Sequence, residues 1–134
     1  MRQDFQLPPE DLEYLQASGY AWEAVIIGQV KWLIIYAYPI PAGYNVREAA
    51  VALRLPPSYP DEQIDMANFN PPLALASGRA VGALSIQVID GKNFQQWSRH
   101  RTKANPWRMG LDNVGTHMLQ VNSWLDRELQ KKAA

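Results

Sequence analysis

The reactive side-chain types of this chain crowd into one stretch, Trp97-Ser98-Arg99-His100-Arg101. A serine hydroxyl is a weak nucleophile near neutrality and needs an adjacent base. Histidine titrates in that range and is the natural base. Ser98 and His100 stand two residues apart, which puts both side chains on one face of an extended segment. Arg99 and Arg101 add guanidinium groups suited to a carboxylate or an oxyanion. Acyl transfer needs a nucleophile or a positioned acceptor, a base and an oxyanion donor. The same residues also have a plain structural reading. Trp97 then plugs the core, Ser98 and His100 are loop residues that hydrogen-bond locally, and Arg99, Arg101, Lys103 and Arg108 form a solvated basic face. His117, beside the apolar stripe of a helix, satisfies a neighbour, and Asp65 caps or orients a loop.

Composition removes several other chemistries. The chain of 134 residues contains no cysteine. Disulfides, thiolate metal sites and thiol nucleophiles are therefore excluded. Two histidines, His100 and His117, are too few for a histidine metal cluster without several carboxylates. The formal net charge is zero, unlike the strongly basic balance of nucleic-acid-binding domains. No Gly-rich phosphate loop and no Gly-x-Ser-x-Gly elbow occurs, so neither a nucleotide cofactor nor the usual serine-hydrolase context is expected. The longest apolar run, Trp32 to Tyr38, is far short of the roughly 20 residues that span a bilayer. Met-Arg-Gln-Asp-Phe at the start lacks a signal-peptide core, so a cytoplasmic location is expected.

The elements that must carry these residues read as one α+β domain, a size that can bury a real core. Pro8-Pro9-Glu10-Asp11 is a helix start, Leu12 and Leu15 share a face, and Gly19 is a stop, which predicts a helix near 9–18. Trp22 to Ile27 and Val30 to Tyr38 flank Gly28-Gln29, a hairpin with a type II′ turn. Within the second strand Trp32, Ile34, Tyr36 and Tyr38 alternate with Lys31, Leu33, Ile35 and Ala37. Both sets are largely apolar, so the strand is central. Val46 to Leu55 and Ile64 to Phe69 complete a four-strand antiparallel meander, with the rigid Pro56-Pro57-Ser58-Tyr59-Pro60 turn between them. Residues 73–106 read as largely irregular, with a short strand at Leu84, Ile86 and Val88 and a turn at Asp90-Gly91. Leu111, Val114, Met118, Val121, Leu125 and Leu129 predict a helix over 111–131. Asp112 serves as its N-cap or first-turn acid, and Arg127, Lys131 and Lys132 suit its C-terminal end.

This layout resembles the ubiquitin-conjugating fold. Pro56-Pro57-Ser58-Tyr59-Pro60 is similar to that family's Pro-x-x-Tyr-Pro element, Phe69 to its fourth-strand aromatic, and Asn105-Pro106-Trp107 to the tryptophan opening its next helix. The bacterial branch encoded beside ThiF-like activating enzymes, JAB peptidases and ubiquitin-like proteins is the better match. Its pattern resembles Gly43-Tyr44-Asn45, Tyr59-Pro60 with Asp65-Met66, Trp97-Ser98-Arg99-His100, Trp107 to Asp112 and Thr116-His117, in that order. The chain departs from the standard family in two ways. The active cysteine is missing, and Phe69-Asn70-Pro71-Pro72 stands in place of His-Pro-Asn.

The resemblance implies transfer of a ubiquitin-like protein received from a ThiF-like activating enzyme. With no cysteine, transfer runs through a serine oxyester or without a covalent intermediate. Counting back from Trp107 by the family's spacing lands near Ser98-Arg99-His100, whereas counting forward from Phe69 lands on Ser85. The catalytic candidates are Ser98, His100, Ser85 and Arg99. Trp97, Tyr59, Asp65, Arg101 and His117 are the binding candidates, and no cofactor or metal is implied. The alternative is a non-catalytic module that binds a ubiquitin-like protein or an activating enzyme, in which Ser85 simply alternates outward on a strand.

Overall fold

The computed structural model describes residues 1–131. Helix α1 (Pro9–Ser18) is followed by strands β1 (Trp22–Ile27), β2 (Val30–Pro39), β3 (Glu48–Leu55), β4 (Ala67–Asn70), β5 (Leu84–Ile89) and β6 (Lys92–Trp97), then helix α2 (Val114–Gln130). The strands form one antiparallel sheet in the order β1-β2-β3-β4-β6-β5. The α+β class and the two terminal helices are as expected. No helix is long and apolar enough to cross a membrane among the described residues.

Several sequence expectations are corrected. The segment 73–106 is more regular than expected: the short strand read at Leu84, Ile86 and Val88 is β5, and an unexpected β6 pairs with it, so the sheet continues past the four-strand meander to six strands. Asn93, Gln95 and Gln96 made β6 read as a loop, but Gln95 is spent on structure. Its side chain accepts from Leu73 N and Trp97 Nε1 and donates to Leu73 O. Gly28 and Gln29 both have positive φ, at 53° and 70°, so the first hairpin closes with a type I′ turn, not type II′. Ala37, at φ 52°, sits where the β2–β3 register shifts between Ile35 and Tyr38. This bulge moves Tyr38 onto the face of Leu33 and Ile35, away from that of Trp32 and Ile34. Strand β4 starts only at Ala67, because Met66 turns with φ 60°. Helix α2 starts at Val114, not at 111. Asn113 and Thr116 close a reciprocal capping box, leaving Leu111 exposed and Asp112 buried before the helix. The expectation for Lys132 lies outside the described residues.

Both helices cover one face of the sheet. Leu15 of α1 and Val114, Met118, Val121 and Leu125 of α2 bury against Leu33, Ile35, Val51, Leu53, Phe69 and Trp97. The other face carries a smaller core in which Ile89 and Phe94 of the second hairpin meet Val25, Trp32, Ile34 and Ala52. The sheet therefore curls until its far hairpin folds back over β1 and β2. Arg2 ties this closure, pairing with Glu23 on β1 at 2.8 Å and with Asp90 at the hairpin tip at 2.6 Å. The Arg2 guanidinium, helped by the Tyr36 hydroxyl, holds the Glu23 carboxyl down to about 2.

Two polar contacts dock the helices. The Tyr59 hydroxyl donates to Asp11 Oδ2 at 2.6 Å, and Val114 N donates to Asp11 Oδ1 at 3.1 Å and to the Tyr59 oxygen at 3.0 Å. The rigid Pro-rich turn thus joins the start of α1 to the start of α2. His117 Nε2 donates to the Met66 carbonyl at 2.8 Å, joining α2 to the start of β4. Tyr59→Phe keeps the ring but deprives one oxygen of buried Asp11 of its donor. The expected loss is about 1–3 kcal/mol of unfolding free energy, read as a lower urea midpoint at unchanged slope.

Burial pushes the His117 imidazole down to about 4 from the ordinary 6.5, against the opposing pull of the Met66 carbonyl. The folded value lies below the unfolded one, so the unfolded chain takes up the proton first as pH falls. The stability linked to His117 is complete above about pH 6.5 and is lost as pH drops toward about 4, on the order of 3 kcal/mol in all. His117→Gln retains a donor for Met66 and cannot titrate. Urea midpoints at about pH 7 and about pH 4.5 are expected to separate more for the parent than for this variant.

Candidate functional site

Strand β4 pairs antiparallel with β6 in the register Ala67 to Trp97, Asn68 to Gln96 and Phe69 to Gln95. The residues just before β4 therefore lie beside those just after β6. That adjacency brings Asp65 to His100, 35 positions away in sequence. His100 Nδ1 lies 3.0 Å from Asp65 Oδ2 and 3.1 Å from Oδ1. A carboxylate only accepts, so Nδ1 carries the hydrogen and the Nε2 lone pair of the neutral ring is left available. His100 is exposed, and no hydrogen bond engages its Nε2 among the described residues. Asp65 also borders an open groove of about 620 Å³ on the sheet face away from the helices, with Trp32, Arg54, Met66, Asn68 and Gln96 in its walls.

The nucleophile candidates fare differently. Ser98 is half-buried, and its backbone N–H donates to the Ala83 carbonyl at 3.0 Å. No hydrogen bond joins its hydroxyl to His100 among the described residues, so the dyad expected from their spacing is not formed. The strand ends at Trp97, and the alternation that would align Ser98 with His100 ends with it. Ser85 pairs with Gln96 across β5 and β6 and bonds its amide at 3.3 Å. It stands on an exposed strand position and makes no hydrogen bond to Asp65 or His100 among the described residues.

Arg99 lies over the Trp97 ring at 4.9 Å and donates to the Ala83 and Ser98 carbonyls. Trp97 is fully buried, edge-on to Phe69 at 5.8 Å, so it is a core plug and not a contact surface. Tyr59 and His117 are likewise engaged in helix docking. The Arg101 side chain is only 8% exposed, lies over Trp107 at 5.0 Å and faces Asp112 at 3.8 Å. It is part of the interior rather than a surface basic group. Arg108, bonded to Asp112 through its backbone N–H and guanidinium, pulls that carboxyl below its usual range against the burial that raises it.

Two contacts went unread in the sequence. Asp65 was expected to orient a loop or bind, but not to hold His100; the β4–β6 pairing that joins them needed β6, whose polar residues hid it. Asp11, an ordinary first-turn acid by sequence, is buried and links both helices. The site thus offers an imidazole oriented by Asp65, itself in the groove wall, with no hydroxyl bonded to that ring among the described residues. Among the described residues no cluster of three or more His, Asp or Glu side chains is placed to hold a metal.

No significant match is found among curated proteins or among solved structures. A protein-family model described as prokaryotic E2 family E matches residues 7–128, spanning both helices' docking contacts, all six strands and the Asp65–His100 pair. The chain therefore belongs to the prokaryotic E2 family, a family of bacterial ubiquitin-conjugating-like proteins.

Proposed function

We propose that the chain takes part in transferring a ubiquitin-like protein from a ThiF-like activating enzyme to an acceptor, without a cysteine thioester, and that His100 is the base. The family supports a role of the ubiquitin-conjugating type. The observation that carries the finer reading is the Asp65–His100 pair, in which Asp65 fixes the imidazole and leaves Nε2 free. An acceptor amine or hydroxyl attacks the activated C-terminal carbonyl of the ubiquitin-like protein. His100 Nε2 takes the acceptor's proton as the new bond forms. The leaving group departs with its electron pair and recovers that proton from the imidazolium. Because Ser98 does not bond His100, direct attack by the acceptor fits the geometry better than a Ser98 oxyester.

A second reading is a binding module for the ubiquitin-like protein or its activating enzyme. It is favoured by the absence of cysteine and by the structural commitment of Trp97, Tyr59 and His117. Incubation with ATP, activating enzyme and ubiquitin-like protein separates the two. His100→Ala is expected to slow product formation by about a hundredfold or more, and Asp65→Asn to slow it less. Ser85→Ala with Ser98→Ala is expected to change it little. A hydroxylamine-sensitive adduct lost in Ser98→Ala would establish the oxyester route instead. Binding that survives His100→Ala with no product from either protein would leave the module reading.

A further inference from the structure

The chain around His100 holds few atoms able to attack a carbonyl. Within three positions of the imidazole stand Trp97, Ser98, Arg99, Arg101, Thr102 and Lys103. A guanidinium stays protonated, so only Ser98, Thr102 and Lys103 carry a nucleophilic atom. Lys103 is the one amine of that set. It stands in the turn that Asn105 N closes by donating to Thr102 O at 3.0 Å. Lys103 is exposed and forms no ion pair among the described residues.

The segment joining the imidazole to this amine is held at two points. Asp65 takes His100 Nδ1 at 3.0 Å. Arg101, between the two residues, lies over Trp107 at 5.0 Å and faces Asp112 at 3.8 Å with its side chain buried. His100 and Lys103 therefore emerge on either side of a fixed residue. Their Cα atoms are at most about 11 Å apart, the full extension of three residues. An imidazole and a flexible four-carbon lysine stem both reach into that gap. The other described lysines are placed elsewhere. Lys92 opens β6, roughly 17 Å of strand from the Trp97 end that leads to His100. Lys131 follows the 17-residue helix α2, roughly 25 Å along it from Val114, and pairs with Glu128. Lys31 lies over the Phe5 ring at 5.5 Å.

We propose that Lys103 is itself an acceptor, so that the chain modifies its own loop with the ubiquitin-like protein. The proposal rests on the transfer reading and names an acceptor for it. Lys103 Nζ, as the neutral amine, attacks the activated C-terminal carbonyl and forms the new C–N bond. His100 Nε2 takes the proton that the nitrogen sheds. The thiol or phosphate leaving group of the activated C-terminus departs with its electron pair, and the imidazolium returns the proton to that group or to water. The product is an isopeptide at Lys103. An acceptor tethered three residues from the base reacts at a high effective concentration, which a free amine must match from solution.

Incubation of the full chain with ATP, activating enzyme, ubiquitin-like protein and Nα-acetyl-lysine reads two products at once. The expected self-adduct survives hydroxylamine and maps to Lys103 by peptide mass spectrometry. Lys103→Arg is expected to cut that adduct by about tenfold or more, with product on Nα-acetyl-lysine at the parent rate and an unchanged circular dichroism spectrum. His100→Ala is expected to lower both products. A mixture of the Lys103→Arg and His100→Ala chains is expected to gain no adduct, because neither carries base and acceptor together. Product on Nα-acetyl-lysine without a self-adduct, or a self-adduct undiminished in Lys103→Arg, overturns the proposal and leaves the transfer reading standing. A hydroxylamine-sensitive adduct overturns it in favour of the Ser98 or Thr102 hydroxyl. Strong modification of the His100→Ala chain in the mixture overturns the same-chain step. No product of either kind overturns the proposal and the transfer reading together.

Discussion

The pairing of β4 with β6 is the constraint on which the site depends. These strands are distant in sequence, and the segment between them doubles back through the outer hairpin. The pairing is held by what it buries. Phe69 and Trp97 stack edge to face on the helix side, while Asn68 and Gln96 lie on the other. A slip of one residue would exchange those faces, so burial of the two aromatics fixes the register. With the register fixed, the chain just before β4 lies beside the chain just after β6, where Asp65 meets His100. The Asp65–His100 contact follows from a packing requirement, not from any local affinity between the two segments.

Around that pairing, polar side chains do the work of assembly. Asp11 and Tyr59 join both helix starts to the Pro-rich turn. His117 reaches from α2 to the Met66 carbonyl. Gln95 satisfies both backbone groups of Leu73 and the indole of Trp97. Asp112 gathers Arg101 and Arg108. A buried polar group without a partner costs about as much as a lost hydrogen bond, so each is tied to one backbone arrangement. Most residues with reactive side chains are thereby committed to the fold. His100 differs because it is both oriented and exposed.

In this cysteine-free chain, His100 is an exposed side chain that the fold orients through a carboxylate. Among the described residues no hydroxyl is bonded to that imidazole. The curl of the sheet shapes this surface, because the second hairpin folds over the face opposite the helices and leaves the groove between hairpin and strand ends. Among the described residues the outer edge of β5 has no covering segment like the one along β1.

Much of the frame was legible in the chain itself. Helix α1 and the first hairpin follow from local rules: proline and acids at a helix start, glycine at its stop, and a two-residue turn between apolar strands. The helical period of α2 was clear, although the Asn113–Thr116 box moved its start past Leu111. The lack of cysteine excluded the thioester outright, and the block from Trp97 to His100 holds the imidazole that Asp65 orients. The sequence could not show that β6 is a strand, because its alternation is carried by Gln and Asn whose partners lie elsewhere. Nor could it distinguish Tyr59, Trp97 and His117 as structural from binding, since the same side chains serve both purposes. Only the tertiary structure chose Asp65 over Ser98 as the partner of His100. Sequence spacing governs contacts within one element, whereas antiparallel pairing of distant strands decides which chain ends meet.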